Sequence, residues 1–240
     1  MDRTARPSAT PLRPLEWIGS SKRDLLALPE EVIDVFGYAL YLAQKGGRHA
    51  QAKVLHGFGG TGVLDVVEDS RGNAYRAVYT IRFEEMIFVL HVFQKKSKSG
   101  TATPKPDMDL IWKRLQAAGL RAQELRMSKH KASEKMAIYG SSGNVYADLG
   151  YSDAGEMLVK AQLVSRIAEI IQHRGLTQVE AAKLLGLTQP KVSGMLRGQF
   201  RGFSERKLID CLTRLGRDVE IVIKESPQRR ANGKITVVVA

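Results

Sequence analysis

The hydrophobic positions in the first half of the chain change from helical spacing to strand alternation and back again. Apolar residues at intervals of three and four after Pro29 predict a helix, with Pro29 in its first turn and a helical partner before it at residues 17–28. Three alternating segments, residues 63–68, 75–82 and 86–96, then predict an antiparallel meander. Residues 107–117 return to helical spacing, and Gly119 ends that helix. The first unit is therefore expected to run α-α-β-β-β-α.

The second half of the chain is mostly helical in pattern. Residues 154–173 predict one long helix, residues 177–198 two short ones, and residues 204–215 a last helix that Gly216 closes. Residues 218–224 and 234–239 are rich in β-branched side chains and predict two terminal strands joined by a polar turn. Exposed strands of this kind pair with another chain or with a partner sheet. The predicted fold class is α+β: a small antiparallel sheet with helices, followed by a mostly α domain with terminal β-strands.

The sequence of residues 177–198, TQVEAAKLLGLTQPKVSGMLRG, predicts a helix-turn-helix. Thr177 and Glu180 are spaced as a capping box at the start of the first helix. Gly186 stands where the chain turns, because glycine tolerates the positive φ of a helix end. Thr188 can cap the second helix, and Pro190 falls in its first turn, where a missing N–H costs nothing.

The apolar side chains of this motif share an inward face, and the polar ones gather at the tip of the second helix. The inward set is Ala181, Ala182, Leu184, Leu185, Leu187, Val192, Met195 and Leu196. An ordinary helical hairpin is the alternative interpretation. A base-reading Gln189 and a basic rim of Lys191, Arg197, Arg201 and Arg206 favour DNA binding instead. The candidate DNA-binding residues are Thr177, Gln178, Thr188, Gln189, Pro190, Lys191, Ser193 and Arg197.

Composition adds a basic charge and excludes several classes of protein. The 240 residues carry a net charge of +12, and both halves are basic, which suits contact with polyanions. No apolar run is long enough to cross a membrane, and the N-terminus lacks the apolar segment of a signal peptide. Cys211, the one cysteine, has no Cys/His partners for a metal and is expected to be a buried thiol. We therefore expect a cytoplasmic protein without metal or cofactor.

Two family resemblances follow from longer stretches of the sequence. The helix-turn-helix matches the XRE pattern TQ-x-x-AA-x-x-LG-x-x-Q-x-x-VS, and residues 136–240, with NVYADLG and LGRDVEIV, resemble a HigA-type antitoxin. YRAVYT and HVFQKKSKSGTATPK resemble the phage-derived Gp49-like branch of the HigB/RelE toxins, which implies a RelE-like fold. The domains are then 1–118, toxin-like; 119–135, linker; and 136–240, antitoxin-like. Both partners of that operon class stand in one chain, through a natural fusion or through a joining of two products.

The toxin resemblance implies ribosome-dependent, metal-independent cleavage of mRNA. In that reaction the RNA 2′-OH attacks the adjacent phosphate, so fixed cations, a base and an acid are needed. The candidates are Arg76 as phosphate clamp, His91 as acid/base group, and Lys95, Lys96 and Lys98 as stabilising charges. Arg71 in a turn could reach RNA or be a solvated turn residue. His91 could equally be a hydrogen-bonded core histidine, and the lysines a solubilising strand end.

The function that these observations predict is a toxin–antitoxin module in one chain. A toxin endoribonuclease would be neutralised by contact with the antitoxin domain, which would bind operator DNA as a homodimer and repress its own operon. The expected partners are therefore operator DNA and mRNA on the ribosome, with no membrane. One alternative is a transcriptional regulator whose toxin-like domain is catalytically inactive. Another is a linker that is artificial or is cut in the cell.

Overall fold

The computed structural model describes residues 12–60, 62–84, 86–95, 103–127, 138–225 and 233–238. The described chain divides into two compact units, with the boundary between Leu149 and Gly150. Each unit is considered by itself below. Among the described helices, none combines the length and the apolar character needed to cross a bilayer.

The unit Leu12–Leu149 is built on a mixed sheet. In chain order its described strands are β1 (Leu15–Ile18), β2 (Lys53–Val54), β3 (Val63–Ser70), β4 (Asn73–Thr80), β5 (Ile87–Lys95) and β6 (Ile138–Gly140). In space the order is β2-β3-β4-β5-β1-β6. The predicted meander is β3-β4-β5, and its antiparallel pairing is confirmed.

Strand β1 is the main difference from the predicted order of elements. Residues 17–28 were expected to be helical, but Leu15–Ile18 instead pairs parallel with β5 in the interior of the sheet. All four residues are buried, because helices cover both faces of the sheet there. A fully buried strand lacks the alternation that distinguishes a strand from a helix in sequence.

Two long helices cover opposite faces of the sheet. Helix α1 (Ser21–Leu26) leads into α2 (Glu30–Gln44), which packs near β3, where the Ser70 hydroxyl donates to Glu31 at 2.8 Å. Helix α3 (Lys105–Met127) packs on the other side, on β5. An apolar core cluster lies on this α3 face and includes Phe88, Leu90 and Ile111.

Helix α3 passes through Gly119, where it was predicted to end. The additional turns bury Ala122 and let Arg121 bind Glu16 of β1 through two nitrogens, at 3.0 and 3.1 Å. These contacts offset the roughly 1 kcal/mol that glycine costs inside a helix. The first part of the segment predicted as a linker is therefore helical.

The second unit is helical. It contains α5 (Ala154–His173), α6 (Gln178–Leu185), α7 (Gln189–Arg197) and α8 (Glu205–Arg214), and α5 has the predicted bounds. The short α4 (Val145–Asp148) precedes them in the chain and belongs to the first unit. Strands were predicted over residues 218–224 and 234–239; the described residues of these segments, 218–224 and 234–238, form neither helix nor strand with other described residues.

Candidate functional site

Local hydrogen bonds fix the first helix of the helix-turn-helix as predicted. The Thr177 hydroxyl accepts from the Glu180 backbone N–H at 3.3 Å, and the Glu180 carboxylate accepts from the Thr177 N–H at 2.8 Å. These bonds hold the pKa of Glu180 below its ordinary value, chiefly through the Thr177 backbone N–H. Gly186 ends α6 in the left-handed region, with φ of +62°. The turn therefore follows from residues that are close in sequence.

Five of the eight apolar residues assigned to the inward face are buried, Leu187 and Leu196 are half-buried, and Leu184 is exposed. Ala181, Ala182, Leu185, Val192 and Met195 are buried. Leu184, which was assigned to the same face, is 40% exposed.

The second helix presents polar side chains at its N-terminus. Gln189, its first residue, donates from Nε2 to Oε1 of Gln178, the first residue of α6, at 2.7 Å. Thr188 occupies the N-cap position, but its side chain makes no capping bond. The candidate DNA-binding residues that are exposed are Thr177, Gln178, Thr188, Gln189, Pro190 and Lys191; Ser193 and Arg197 are half-buried.

The basic rim is only partly available to a ligand. Lys191 and Arg206 are exposed. Arg201 is half-buried, with its guanidinium 4.6 Å from the centre of the Tyr151 ring, and its carbonyl accepts from Lys160. Of the four basic residues predicted for this rim, Lys191 and Arg206 are therefore the exposed ones, and Arg197 and Arg201 are half-buried.

In the first unit, the strand register brings three candidate catalytic residues to one face of the sheet. Val78 pairs with His91, Arg76 with Phe93, and Ala74 with Lys95. Directly paired residues of antiparallel strands point to the same side, and residues two apart along a strand do so too. Arg76, His91 and Lys95 therefore all lie on the α3 face.

Arg76 is held inside the unit by two partners. Only 8% of the residue is exposed. Its Nη1 lies 3.4 Å from Oδ2 of Asp65 on β3 and donates to the Thr103 hydroxyl at 2.7 Å. Burial raises the pKa of Asp65, and the Arg76 charge partly opposes that rise. The structure therefore places this arginine in a buried ion pair.

His91 is also buried and engaged at both ring nitrogens. Its Nε2 lies 3.0 Å from Oδ1 of Asp107, and its Nδ1 lies 3.3 Å from Nη1 of Arg114. The ring stacks on Phe93 with centroids 4.7 Å apart. Burial lowers the pKa of His91, while the hydrogen bond to Asp107 acts to raise it. A neutral ring that donates to Asp107 and accepts from Arg114 satisfies this geometry.

Of the three candidate lysines, the structure describes Lys95 alone. Lys95, half-buried, is the last residue of β5, and Lys96 and Lys98 lie outside the described residues. Arg71 sits in the β3–β4 turn with φ of +51° and pairs with Glu31 of α2 at 3.3 Å. Because α2 covers the other face of the sheet, Arg71 is directed away from His91.

Comparisons with known proteins assign both units to families. The family model of a helix-turn-helix domain, HTH_37, matches residues 145–224, and that of the phage-derived Gp49-like proteins matches residues 23–116. A solved structure assigned by its name to the XRE family of transcriptional regulators is 41% identical over 37% of this chain and 99% of its own length. The C-terminal region is an XRE-type helix-turn-helix domain, and the N-terminal region is a Gp49-like domain. The TM-score of the comparison with that structure is 0.35. None of the curated proteins matches the chain.

The XRE-type match begins inside the Gp49-like unit. Residues 138–149 pack there: β6 pairs antiparallel with β1, and α4 packs on α2. Tyr146 is fully buried, and a Cβ built on Gly37 of α2 would lie 3.4 Å from its ring and 3.2 Å from Leu149. This docked segment, residues 138–149, contacts the edge of β1 and helix α2, whereas Arg76 and His91 face α3.

Sequence reasoning missed the residues that hold the candidate catalytic groups. Asp107 and Arg114 were assigned only to a helix, although they lie seven residues apart and so share one face of α3. Arg114 donates to the Leu90 carbonyl at 2.8 Å and to the Ser20 hydroxyl at 2.7 Å. Within the described residues, no group of three His, Cys, Asp or Glu side chains could hold a metal ion.

The pKa of His91 should be measurable and should lie below the ordinary 6.5. Between pH 6.5 and the lower pKa of the folded state, His91 is protonated in the unfolded chain but not in the folded unit. The free energy of unfolding should therefore fall as the pH drops through this range. Asp107→Asn removes the group that raises this pKa, so the pKa should fall further. Titration of the histidine ring protons by NMR, with His91→Gln to assign the signal, measures both values. A pKa above 6.5 in the unaltered chain would contradict a buried neutral ring.

Proposed function

We propose that the protein is an operator-binding transcriptional regulator of the toxin–antitoxin type, acting in the cytoplasm. Its XRE-type unit reads DNA, and its Gp49-like unit is carried on the same chain. The observation that carries this proposal is the exposed Gln178–Gln189 pair at the N-terminus of α7. In a helix-turn-helix, that end of the second helix enters the major groove.

The glutamine pair has a direct use in reading a base. The hydrogen bond to Gln178 fixes the amide plane of Gln189 and leaves its Oε1 and one N–H free to point outward. A glutamine amide matches the N6 and N7 edge of adenine with two hydrogen bonds. Lys191 and Arg206, exposed nearby, supply phosphate contacts that release counterions. One such unit reads few base pairs, so the proposal includes a homodimer on two half-sites that represses its own operon.

Gln189→Ala should cost about 1–3 kcal/mol on the preferred DNA sequence and little on random DNA. Gln178→Ala should lose part of the same discrimination, because it frees the amide plane of Gln189. Since the two residues act as one unit, the double variant should lose less than the sum of the two losses. Fluorescence anisotropy with the preferred duplex, its single-base variants and random DNA measures the binding free energy of each protein variant.

Lys191→Ala is the matched control, being exposed on the same helix turn. It should weaken binding to all sequences by a similar factor and reduce the slope of log K against log salt by about 1. If Gln189→Ala and Lys191→Ala weakened specific and random DNA alike, the assignment of base reading to Gln189 would be wrong.

A second function, mRNA cleavage, is favoured by the shared face of Arg76, His91 and Lys95. Arg76 could bind the phosphate through its guanidinium fork, and Lys95 could stabilise the added negative charge. The neutral His91, whose pKa burial lowers, could accept the 2′-OH proton while Asp107 orients it, and the 5′ oxygen that leaves as the P–O5′ bond breaks would take its proton from water. Cleavage in this form requires no metal.

The contacts of His91 bear directly on this second function. Its Nδ1 must leave Arg114 before it can take a proton from RNA, because Nε2 already carries the hydrogen that it donates to Asp107. This favours a regulator whose Gp49-like unit is inactive as it stands. Induction of residues 1–149, which retain every described element of that unit, tests the point against the full chain. Growth arrest and cut mRNA, lost on His91→Gln without loss of folding, would establish a nuclease; a folded and harmless fragment would rule it out.

A further inference from the structure

Residues 217–225, which follow α8, contain four β-branched side chains that are exposed. Val219, Ile221, Val222 and Ile223 are exposed, Ile221 by 77% and Ile223 by 94%. Residues 217–225 form no strand with any other described residue, although their β-branched alternation is typical of one. A row of exposed β-branched side chains with unpaired backbone groups is a template for strand pairing.

The sequence of this segment is complementary to itself in one antiparallel register. With Ile221 opposite Ile221 of a second copy, Arg217 faces Glu225 and Asp218 faces Lys224. Two-fold symmetry makes each of these opposite-charge pairs twice. Between them Val219 faces Ile223, so six apolar side chains from the two copies share one face of the ribbon.

Neighbouring registers lose one or both of these opposite-charge pairs. A shift of one residue in one direction sets Asp218 opposite Glu225, and in the other direction sets Arg217 opposite Lys224. A shift of two residues in one direction sets Glu220 opposite itself; in the other it gains an opposite-charge pair, Glu220 with Lys224, but loses the pairs that Arg217 and Asp218 make. Like charges directly opposite each other destabilise a strand pair. The charges of the segment therefore favour the register centred on Ile221.

We propose that two copies of this chain pair through residues 217–225 as antiparallel strands centred on Ile221. The proposal rests on the proposed operator binding, because it names the contact that joins the two DNA-reading units. Residues 233–238 are a second β-branched segment that we expect to flank the pair: Ile235 and Val238 are exposed, and the Val237 N–H donates to Oε1 of Gln162 on α5 at 3.4 Å. Their addition matters, since a two-stranded ribbon alone is marginally stable in water.

Cysteine cross-linking of the full chain tests the register. Ile221→Cys places two thiols directly opposite each other, with Cα atoms about 4.5–5.5 Å apart, within the reach of a disulfide. Ile223→Cys is the matched control, because its two copies are four residues out of register, about 14 Å apart. Under mild oxidation, Ile221→Cys should give at least about 10-fold more covalent dimer than Ile223→Cys. Random collision predicts the opposite order, since Ile223 is the more exposed residue. The unaltered chain, whose one cysteine is buried, should give none.

Charge exchange tests the same register without a new thiol. Asp218→Lys should raise the dimer dissociation constant about 10-fold, and adding Lys224→Asp should restore it to within about threefold. A monomer at all concentrations, or more dimer from Ile223→Cys than from Ile221→Cys, would overturn the pairing. If the protein bound operator DNA as a dimer but Ile221→Cys formed no cross-link, the proposed strand pairing would be wrong and the operator proposal would stand. If Ile221→Cys formed its dimer but selected no DNA sequence, the operator proposal alone would fail.

Discussion

Replacing Tyr146 by alanine is expected to lower the free energy of unfolding of the Leu12–Leu149 unit by about 3–5 kcal/mol. The side chain is fully buried against α2, and Gly37 lets the two elements approach closely. Truncation removes the ring and leaves a cavity between α4 and α2. The loss should also weaken the docking of residues 138–149 as a whole, because β6 adds only three residues to the edge of β1.

Tryptophan fluorescence during urea unfolding measures this effect in the full chain. Both tryptophans, Trp17 and Trp112, lie in the Leu12–Leu149 unit, so the signal reports that unit alone. Tyr139→Ala is the matched control on β6: Tyr139 is 53% exposed, and its loss should change stability by no more than about 0.5 kcal/mol. Equal, small effects of the two substitutions would mean that the docked segment does not stabilise this unit.

The packing of residues 138–149 on the Leu12–Leu149 unit bears on the predicted domain bounds, which assign these residues to the antitoxin-like domain. Residues 145–149 belong to the helix-turn-helix family match and yet pack on α2 of the Gp49-like unit. The segment lies at the β1 edge and on the α2 side, whereas His91 and Arg76 face α3. Any restraint that this segment places on RNA cleavage would therefore act through the fold of the unit rather than by covering His91.

Arg76→Ala is expected to destabilise the same unit by about 3–5 kcal/mol. The side chains of Arg76 and Asp65 are almost fully buried, and Nη1 of the arginine lies 3.4 Å from Oδ2 of the aspartate. Without it, the pKa of Asp65 should rise further, since burial already raises it and the Arg76 charge opposes that rise. The variant therefore leaves an uncompensated carboxyl group inside the unit.

The double variant Arg76→Met/Asp65→Leu separates the loss of the ion pair from the loss of volume. Replacing both charges by apolar groups should recover most of the stability, because no buried charge is left unpaired. Lys95→Ala, on the same face but half-buried, should change stability by no more than about 0.5 kcal/mol. An Arg76→Ala unit as stable as the unaltered one would contradict a structural ion pair and would favour a free phosphate clamp. Any loss of RNA cleavage in Arg76→Ala must therefore be compared with its stability.

The parts of the fold that were predicted correctly depend on neighbours in sequence. The helix-turn-helix depends on the capping box of Thr177 and Glu180 and on the left-handed Gly186. These signals act over three or four residues, so the motif can be predicted from the sequence. The pairing of β1 with β5 joins residues about 70 positions apart, and Leu15–Ile18 shows no alternation because both its faces are covered. Gly119 illustrates a second limit: its local signal for a helix end is outweighed by the distant contact of Arg121 with Glu16.

The candidate catalytic face was predictable only in part, for the same reason. The alternation of β5 places His91 and Lys95 on one side, and the antiparallel meander brings Arg76 beside them. The partners that decide what these residues can do come from elsewhere in the chain. Asp65, Thr103, Asp107 and Arg114 engage Arg76 or His91 through tertiary contacts that no spacing in the sequence encodes.

The central claim, that this chain is a sequence-specific regulator, is tested most directly by selection of DNA from a random library with the full protein. The account predicts one enriched sequence with two inverted half-sites about one helical turn apart, bound at least about 10³-fold more tightly than random DNA. It also predicts that Gln189→Ala removes the preference at one position in each half-site. No enriched sequence, together with binding that depends only on salt concentration, would contradict the account. The helix-turn-helix would then bind DNA through its positive charge without selecting a sequence.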